Sequence, residues 1–322
     1  MQSIVKIFWN IGEARVRAGW RLLIQLALLF TLTVPFAMLD ALFNDYLPES
    51  TIAYGDTILF PIWIFLASLI SVWLVGRFID RRNFADFGLR LNASWWVDLG
   101  FGVVLAASMM TGIFLLELAA GWITITGTYT ANIYGWTFPA AIILALVTFI
   151  LMAASEELTA RGYQIKNLSE GLNLRSLGPR WALVLAVLLT SVLFGLGHAV
   201  NPEATAISTF GLVLAGIFYG VTYVFTGQLA LPIGFHIAWN FFENSVFGFP
   251  VSGEQFGVSF ISIQQNGPNL WTGGEFGPEA GLLGITGHLA GLLGVAAWVR
   301  LRRGKVRLLE ELSQPKLRGN LR

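Results

Sequence analysis

The chain contains no cysteine and few charged residues for its length. Its 322 residues include 12% Asp, Glu, Lys and Arg against 55% hydrophobic residues. The absence of cysteine excludes disulfides, thiolate metal sites, a cysteine nucleophile and palmitoylation. Because about a quarter of the residues of a soluble domain are charged, this chain lacks the polar surface that a protein surrounded by water needs. Its net charge of +1 gives no indication of nucleic-acid binding.

Long apolar windows account for most of the sequence. Each is long enough to cross a hydrocarbon core of about 30 Å at a rise of about 1.5 Å per residue. The windows are 22–39, 57–76, 99–122, 138–160, 181–200, 207–226, 229–247 and 281–299. The sequence therefore predicts an all-α fold: a polytopic membrane helix bundle with about eight transmembrane helices, and a single membrane domain over residues 1–322.

Lysine and arginine are missing from every second loop. The loops without either residue are 40–56, 123–137, 201–206 and 248–280. With eight spans, all twenty cations fall on one side of the bilayer, which the positive-inside rule assigns to the cytoplasm. Both termini are therefore predicted to be cytoplasmic, with residues 300–322 as a basic tail that contacts lipid headgroups. We expect an integral, multi-pass protein, in the plasma or inner membrane if its source is prokaryotic.

Two adjacent glutamates, Glu156 and Glu157, lie within the fourth apolar window. Ionisable groups inside a span cost a few kcal/mol or more, so each needs a reason to be there. On a helix, Glu157 and Arg161 are four residues apart and share a face, so we predict an ion pair between them. Glu156 then points elsewhere and is free to hold a water molecule or a substrate group. The alternative is that both are ordinary interfacial charges.

Histidines and amides occur in three further windows. His198 follows Phe194-Gly-Leu-Gly near the end of the fifth window, and His236 and Asn240 share one face of the seventh at a spacing of four. A polar helix face of this kind is unfavourable in contact with lipid, so it lines a polar cavity or packs on other polar groups. Glu243 and Asn244 point roughly the same way. Glu117 and His288 have no other polar residues on the same helix face and are interpreted as structural.

The motifs Glu-Glu-x-x-x-Arg-Gly at 156–162, Phe-x-x-x-His at 194–198 and His-x-x-x-Asn at 236–240 follow one another along the chain. In this order they resemble the three motifs of the CPBP intramembrane endopeptidases, the CAAX-protease and bacteriocin-processing family. The resemblance covers residues 138–245, the predicted catalytic core, and the stretch 274–279 is also similar to bacterial members. One departure is Ala160, where an aromatic residue is usual before the arginine.

The resemblance implies glutamate-dependent hydrolysis of a peptide bond inside the membrane, without a cofactor. Glu156 would be the general base that activates water, and His198 would orient that water or shuttle the proton. His236 and Asn240 would donate hydrogen bonds to the oxyanion. Glu157 and Arg161 would brace the site, with Phe194, Glu243 and Asn244 as further supporting residues. The implied substrate is a peptide or protein within or near the membrane, with prenylated CAAX proteins among the candidates, and no nucleic acid.

Two alternatives stay open at this point. The first is a zinc-dependent protease with Glu156, His198 and His236 as ligands and Glu157 as base, although no His-Glu-x-x-His motif is present and Arg161 disfavours a dication. The second is a membrane protein without catalysis, either a transporter that uses the polar face of the seventh span or a scaffold or immunity protein.

The depth of the site is the open geometric question. The charge pattern orients the fourth span so that Glu157 and Arg161 approach the cytoplasm, which predicts a cavity that opens from that side. The same orientation puts Glu156 near the cytoplasmic end of its window and His198 far from it. A fourth helix that continues past Arg161 would place Glu156 deeper and bring the two side chains together.

Overall fold

The computed structural model describes residues 6–43, 59–132 and 135–315. The remainder of the predicted loop 40–56 after Phe43, and the end of the predicted basic tail with Lys316 and Arg318, lie outside these residues. The helices are, in chain order, α1 (Ala18–Phe43), α2 (Phe60–Leu74), α3 (Ala93–Ala119), α4 (Phe138–Glu156), α5 (Lys166–Leu172), α6 (Gly178–Gly197), α7 (Ala206–Thr226), α8 (Ala230–Asn240), the short α9 (Asn269–Thr272) and α10 (Leu282–Arg303).

Three of these helices change pitch along their length. The π-helical segments Val75–Ile79, Glu157–Ile165 and Phe241–Val246 continue α2, α4 and α8 without a break. As a result, α4 and α5 form one helical segment, Phe138–Leu172, of 35 residues. Single 3₁₀ turns occupy Phe84–Phe87, Gly274–Phe276, Pro278–Ala280 and Glu310–Ser313.

Seven helical segments in the described part of the chain are long and apolar enough to span a membrane. They are Ala18–Met38, Phe60–Ile79, Ala93–Ala119, Phe138–Leu172, Gly178–Gly197, Ala206–Thr226 and Leu282–Arg303. The predicted seventh span is shorter than these, with α8 of 11 residues followed by the π segment of 6. The polytopic helix bundle that the sequence predicts is therefore confirmed, with a short eighth segment among the long helices.

The α8 segment is the central helix of the bundle. Ten of its 11 residues are buried, including both ends, because protein surrounds it on all sides. Its closest neighbour is α3: a Cβ on Gly234 would collide with the backbone oxygen of Leu99, and one on Gly102 would lie 2.5 Å from that of Leu231. Small residues of this kind let two helix backbones come into contact. Such close packing is common in membrane proteins, because moving a side chain from lipid into the protein gives little hydrophobic free energy.

Contacts between helix ends show that the chain alternates between two ends of the bundle. We call the end of the bundle that carries the lysines and arginines the basic end. There, Arg303 Nη1 at the end of α10 donates to the backbone oxygen of Thr226 at the end of α7 (2.7 Å). Arg303 Nη2 lies 3.4 Å from Asp98 near the start of α3. At the other end, Gln265 donates to Glu117 near the end of α3 (2.7 Å). The α8 segment also crosses, because it begins beside Gly88 at the basic end.

Two of the loops without cations, 123–137 and 248–280, pair with each other as strands. β3 (Ile123–Ala131) runs antiparallel to β4 (Val258–Gln265), with Ile123 opposite Gln265 and an irregularity between Ile125 and Gly127. The run of Ile and Thr in β3 favours an extended chain, because β-branched side chains fit a pleated surface. A smaller pair, β1 (Trp9–Asn10) with β2 (Arg15–Val16), precedes α1.

A buried ionic cluster joins three elements at the basic end. Glu170 on α5 accepts from Arg15 (2.8 Å) and Arg21 (3.3 Å) and also pairs with Arg82, while Arg21 Nη1 lies 3.0 Å from Asp80. All five side chains are at most 2% exposed. Burial raises the pKa of Asp80, and the attraction of Arg21 and Arg82 opposes that effect. The cluster fixes the chain before α1, the end of α2 and α5 to one another.

Candidate active site

Glu156 lies near the middle of the 35-residue segment Phe138–Leu172, not near its end. The charged residues after Glu156 are buried in protein, so the helix can continue past Arg161. The hydropathy window ends earlier because it counts these residues as polar. The fourth helix therefore continues past Arg161, as a shared site for Glu156 and His198 requires, and both residues line one cavity. The Glu156 side chain is 29% exposed, whereas that of Glu157 is fully buried.

Glu157 organises the residues behind Glu156. Its Oε1 accepts from Arg161 Nη1 at 3.0 Å, which confirms the predicted ion pair, and lies 3.0 Å from Nδ1 of His236. A carboxylate that accepts from the ring N–H of a histidine fixes both the orientation and the tautomer of the ring. The other ring nitrogen of His236, Nε2, lies 3.9 Å from Oε2 of Glu156. Glu157 therefore orients His236 toward Glu156.

Arg161 is enclosed by aromatic rings. Its guanidinium carbon lies 4.5 Å from the ring centroid of Phe194 and 5.0 Å from that of Tyr219, a geometry that is favourable for cation–π contacts. The Tyr219 ring also stacks on His236 with a centroid distance of 4.7 Å and an interplanar angle of 21°. The Phe194 ring lies 4.7 Å from His198 as well. Phe194 thus connects the arginine of the first motif with the histidine of the second.

His198 lies directly after the last residue of α6, at the end of the bundle without cations. Its Nδ1 lies 2.8 Å from the backbone oxygen of Phe194. Because a carbonyl oxygen only accepts hydrogen bonds, Nδ1 carries the proton in this contact. In the neutral ring, Nε2 is then the basic nitrogen, available to a water molecule in the cavity.

Two of the three π-helical segments begin directly after Glu156 and Asn240. A π turn is rare and is often found at functional sites, since the extra residue turns the following side chains away from the preceding face. Asn240 lines the cavity, and its Oδ1 is buried without a hydrogen-bond partner. Glu243 and Asn244, which follow within the π segment, do not line it: Glu243 is buried beside Trp239, and Asn244 donates to the backbone oxygen of Phe249 at 2.9 Å.

A small polar cavity of about 60 Å³ joins these side chains. The four predicted catalytic residues line this cavity: Glu156, His198, His236 and Asn240. The remainder of its wall comes from the second half of α4, from α6 and the loop after it, from α7, and from the segment 248–280, including the exposed Glu254. The cavity therefore opens toward the end of the bundle that has no cations. The prediction of an opening on the cytoplasmic side is wrong, because Arg161 and its partners close that side.

A second, larger cavity meets the first at Glu156. It has a volume of about 690 Å³ and is walled by α1, α2, α6 and the π segment after α4. Most of its lining is apolar, with Leu26, Phe30, Ile64 and Leu193 among the residues. Ala160, the position that departs from the family pattern, is also part of the wall. We call this cavity the apolar groove. Glu156 borders both the polar cavity and the apolar groove.

Glu117 and His288 have structural contacts, as predicted. Glu117 accepts from Gln265 of β4 and so fixes the strand pair to α3. His288 on α10 packs on Trp239 with a ring-centroid distance of 4.2 Å, and its Nδ1 lies 3.0 Å from the backbone oxygen of Gly284. Neither residue lines the polar cavity.

Sequence reasoning missed four polar residues of the cavity wall, all from loops: Asn201, Ser252, Glu254 and Glu279. Glu279 accepts from the backbone N–H (2.9 Å) and from the hydroxyl (2.6 Å) of Ser252, and Asn201 donates to the backbone oxygen of Ser252 at 2.9 Å. These contacts connect the loop after α6, the loop after α8 and the turn before α10. The similarity of 274–279 to bacterial family members was the one available signal for Glu279.

The zinc alternative finds no support in the geometry. Among the residues that the structure describes, no three His, Asp or Glu side chains converge as a metal-ligand set. Nδ1 of His198 and Nδ1 of His236 already contact Phe194 and Glu157, and Arg161 lies directly behind the latter. A dication at this position would also be repelled by the guanidinium.

Comparisons with known proteins agree with the motifs. The family model described as type II CAAX prenyl endopeptidase Rce1-like matches residues 135–242. The uncharacterized protein YyaK of Bacillus subtilis (strain 168) is 26% identical over 241 residues, which are 69% of this chain and 73% of that protein. No solved structure matches the chain. The resemblance to the CPBP family is thereby confirmed over residues 135–242, and the long apolar helices make the chain an integral, multi-pass membrane protein.

Proposed function

Because residues 135–242 match a family of membrane-embedded CAAX proteases, we propose that this chain is an intramembrane endopeptidase whose water nucleophile is activated by Glu156. The observation that carries the proposal is the shared position of Glu156. Its carboxyl group borders a polar cavity that contains two histidines and an asparagine, and it also borders an apolar groove that is open to a lipid-bearing substrate.

Glu156 has the properties of a general base. Its Oε2 is buried without a hydrogen-bond partner, so a water molecule in the cavity is its natural partner. The carboxylate takes a proton from that water while the oxygen attacks the scissile carbonyl carbon. Nε2 of His198 accepts the second hydrogen of the same water and holds the lone pair of the water toward the carbonyl.

Asn240 and His236 provide the donors for the oxyanion. They lie four residues apart on α8 and both line the cavity. The Asn240 amide donates as a neutral group. His236 can donate only as the imidazolium, because its Nδ1–H is engaged with Glu157 and Nε2 must also carry a proton. Fixed donors of this kind stabilise the negative charge that develops on the carbonyl oxygen, and each contributes roughly 10²–10³-fold to the rate.

The apolar groove supports a substrate that carries a lipid or a strongly apolar segment. A volume of about 690 Å³ lies within the usual range for binding sites of small molecules, and most of the lining surface is apolar. Prenylated peptides of the CAAX kind fit this description, since the isoprenoid would occupy the groove while the peptide reaches Glu156. Ala160 in the groove wall leaves space that an aromatic side chain at this position would fill.

Cleavage by the purified protein tests the proposal. Full-length protein in liposomes is incubated with a library of quenched fluorogenic peptides, each with and without an S-farnesyl cysteine. We expect cleavage by the wild type, none by Glu156→Gln, and faster cleavage of the farnesylated peptides. Absence of cleavage of every peptide, together with no product lost from Glu156→Gln cells in comparative proteomics, would contradict a protease. Cleavage that a zinc chelator abolishes and zinc restores would favour the metal alternative.

A further inference from the structure

Glu279 is a second carboxyl group in the wall of the polar cavity, and the mechanism above leaves it without a role. It lies in the turn Pro278–Ala280 directly before α10 and is only 7% exposed. The cavity of about 60 Å³ has room for a few water molecules. Because Glu156 and Glu279 both line so small a space, a short chain of water, or the substrate itself, is enough to connect them.

A tight turn of the backbone holds Glu279 in place. Val251 and Glu254 exchange backbone hydrogen bonds of 3.0 and 2.8 Å around the central residues Ser252 and Gly253, whose φ angles are +49° and +84°. Positive φ at both central residues is typical of a type I′ turn and is unfavourable for a serine. Ser252 keeps this conformation while both its N–H and its hydroxyl donate to one oxygen of Glu279.

The surroundings of Glu279 suit a proton donor. Burial raises the pKa of Glu279, and the hydrogen bonds from Ser252 together with the nearby His198 and His236 only partly oppose that effect. A carboxyl group with a raised pKa keeps its proton at a pH where an exposed carboxyl group has lost it. General acids in other enzymes are tuned in the same way.

Hydrolysis of a peptide bond needs such a donor. After the activated water has added to the carbonyl carbon, the C–N bond breaks readily only if the nitrogen gains a proton, because an amide anion is a very poor leaving group. Glu156, at the end of α4, has just taken a proton from the attacking water, whereas Glu279 lines the same cavity from the turn before α10 and offers a second carboxyl group to protonate the nitrogen.

We propose that Glu279 is the general acid of the proposed protease and Glu156 its general base. The Glu279 carboxyl group gives its proton to the nitrogen as the C–N bond breaks and the bonding electron pair stays with the nitrogen. The Glu279 carboxylate then regains a proton through the water of the cavity, and Glu156 releases the one it took from the nucleophile. One water is consumed for each bond cleaved, and no other reactant is needed. This inference rests on the proposed protease function.

Changing the leaving group separates acid catalysis from a structural role. The best peptide from the library above is made in two forms, one with the scissile amide and one with an ester, in which oxygen replaces the scissile N–H. An alkoxide leaves far more easily than an amide anion. For Glu279→Gln we expect kcat/KM on the amide to fall by about 10²-fold or more, and on the ester by less than about tenfold. Glu156→Gln should abolish both.

Two further variants serve as controls. Glu275→Gln changes an exposed carboxyl group four residues earlier in the same loop and should alter neither reaction. Glu279→Asp keeps a carboxyl group and should retain more amide cleavage than Glu279→Gln. Ester cleavage by Glu279→Gln also demonstrates that this variant is folded.

Three outcomes would overturn the assignment of Glu279. Equal losses on amide and ester would make Glu279 a structural residue of the turn. Unchanged amide cleavage by Glu279→Gln would exclude it as the acid, and a loss specific to the amide in His198→Gln would transfer that role to His198. In each of these cases the wild type cleaves the peptide and the protease function stands. A wild type that cleaves neither form contradicts the protease function itself.

Discussion

Two groups of buried charges in this molecule are built in different ways. At the basic end, Glu170 and Asp80 are paired with three arginines, and none of these residues lines the polar cavity or the apolar groove. In the middle of the bundle, Glu157 is paired in the same manner, but Oε2 of Glu156 and Oδ1 of Asn240 have no partner and lie at a cavity.

The difference indicates what each group is for. A buried polar atom without a partner costs about 1–3 kcal/mol, and beside a cavity a water molecule or a substrate group can supply the missing hydrogen bond. Charges that pair with opposite charges on other segments hold the chain together, and their loss should reduce stability. Unpaired polar atoms beside a cavity are available to water and substrate, and their loss should reduce activity alone.

The largest expected effect is that of Glu156→Gln. The amide cannot accept a proton from water, so cleavage should fall by about 10³-fold or more. Stability should stay nearly unchanged, because the Glu156 side chain is partly exposed and has no ionic partner within hydrogen-bond distance. Peptide cleavage in liposomes and thermal unfolding in detergent measure the two properties. Full cleavage by this variant would exclude Glu156 as the base, and Glu275→Gln, which changes an exposed carboxyl group outside the cavity, is the matched control.

Glu170→Ala should have the opposite effect. It leaves Arg15, Arg21 and Arg82 near one another without the carboxylate that they share, and removal of one partner from a buried ionic group costs about 3–5 kcal/mol. The midpoint of thermal unfolding should fall strongly, while protein that remains folded cleaves at the normal rate. A lost activity with an unchanged midpoint would show that the two groups of charges are not separate in function.

Arg161→Ala should affect both properties, because Arg161 belongs to the paired group and supports the unpaired one. The substitution leaves Glu157 buried without its cation and releases the ring of Phe194, which lies against His198. We expect a loss of about 2–3 kcal/mol in unfolding free energy and a fall in kcat of about tenfold or more. Arg161→Lys keeps the charge and should recover part of the stability. A change in stability alone, or in kcat alone, would show that Arg161 does not connect the two groups of charges.

Ala160→Phe should have the smallest effect, limited to substrate binding. A larger side chain at this position narrows the apolar groove without touching the polar cavity. We expect KM for farnesylated peptides to rise by about tenfold, which corresponds to about 1.4 kcal/mol of lost binding, with kcat and the unfolding midpoint unchanged. The unprenylated peptide provides the control. Equal changes in KM for both peptides would show that the apolar groove does not bind the farnesyl group.

Several of these features follow from the sequence because they depend on local spacing. The ion pair between Glu157 and Arg161 and the shared face of His236 and Asn240 both result from a spacing of four residues on a helix. The bundle itself follows from the length of the apolar windows. The alternation of cation-free loops predicts the two ends, and the contacts of Arg303 and Glu117 agree with it.

Other features depend on how distant segments pack and could not be predicted in this way. The fourth helix extends to Leu172 because protein, and not lipid, surrounds the charges after Glu156, which a hydropathy window does not detect. The π segment after Asn240 separates Glu243 and Asn244 from the face that a regular helix would give them. Glu279 reaches the cavity through the path of the loop 248–280, which is set by its contact with Ser252.

The position of Glu156 between two voids has a consequence for turnover. Under the proposed function, the lipid part of a substrate approaches through the apolar groove, among α1, α2 and α6, whereas water arrives through the polar cavity from the end without cations. A bound substrate would therefore not block the supply of its own nucleophile. Each product could leave along the route that its polarity favours, the apolar fragment back to the bilayer and the polar fragment to water.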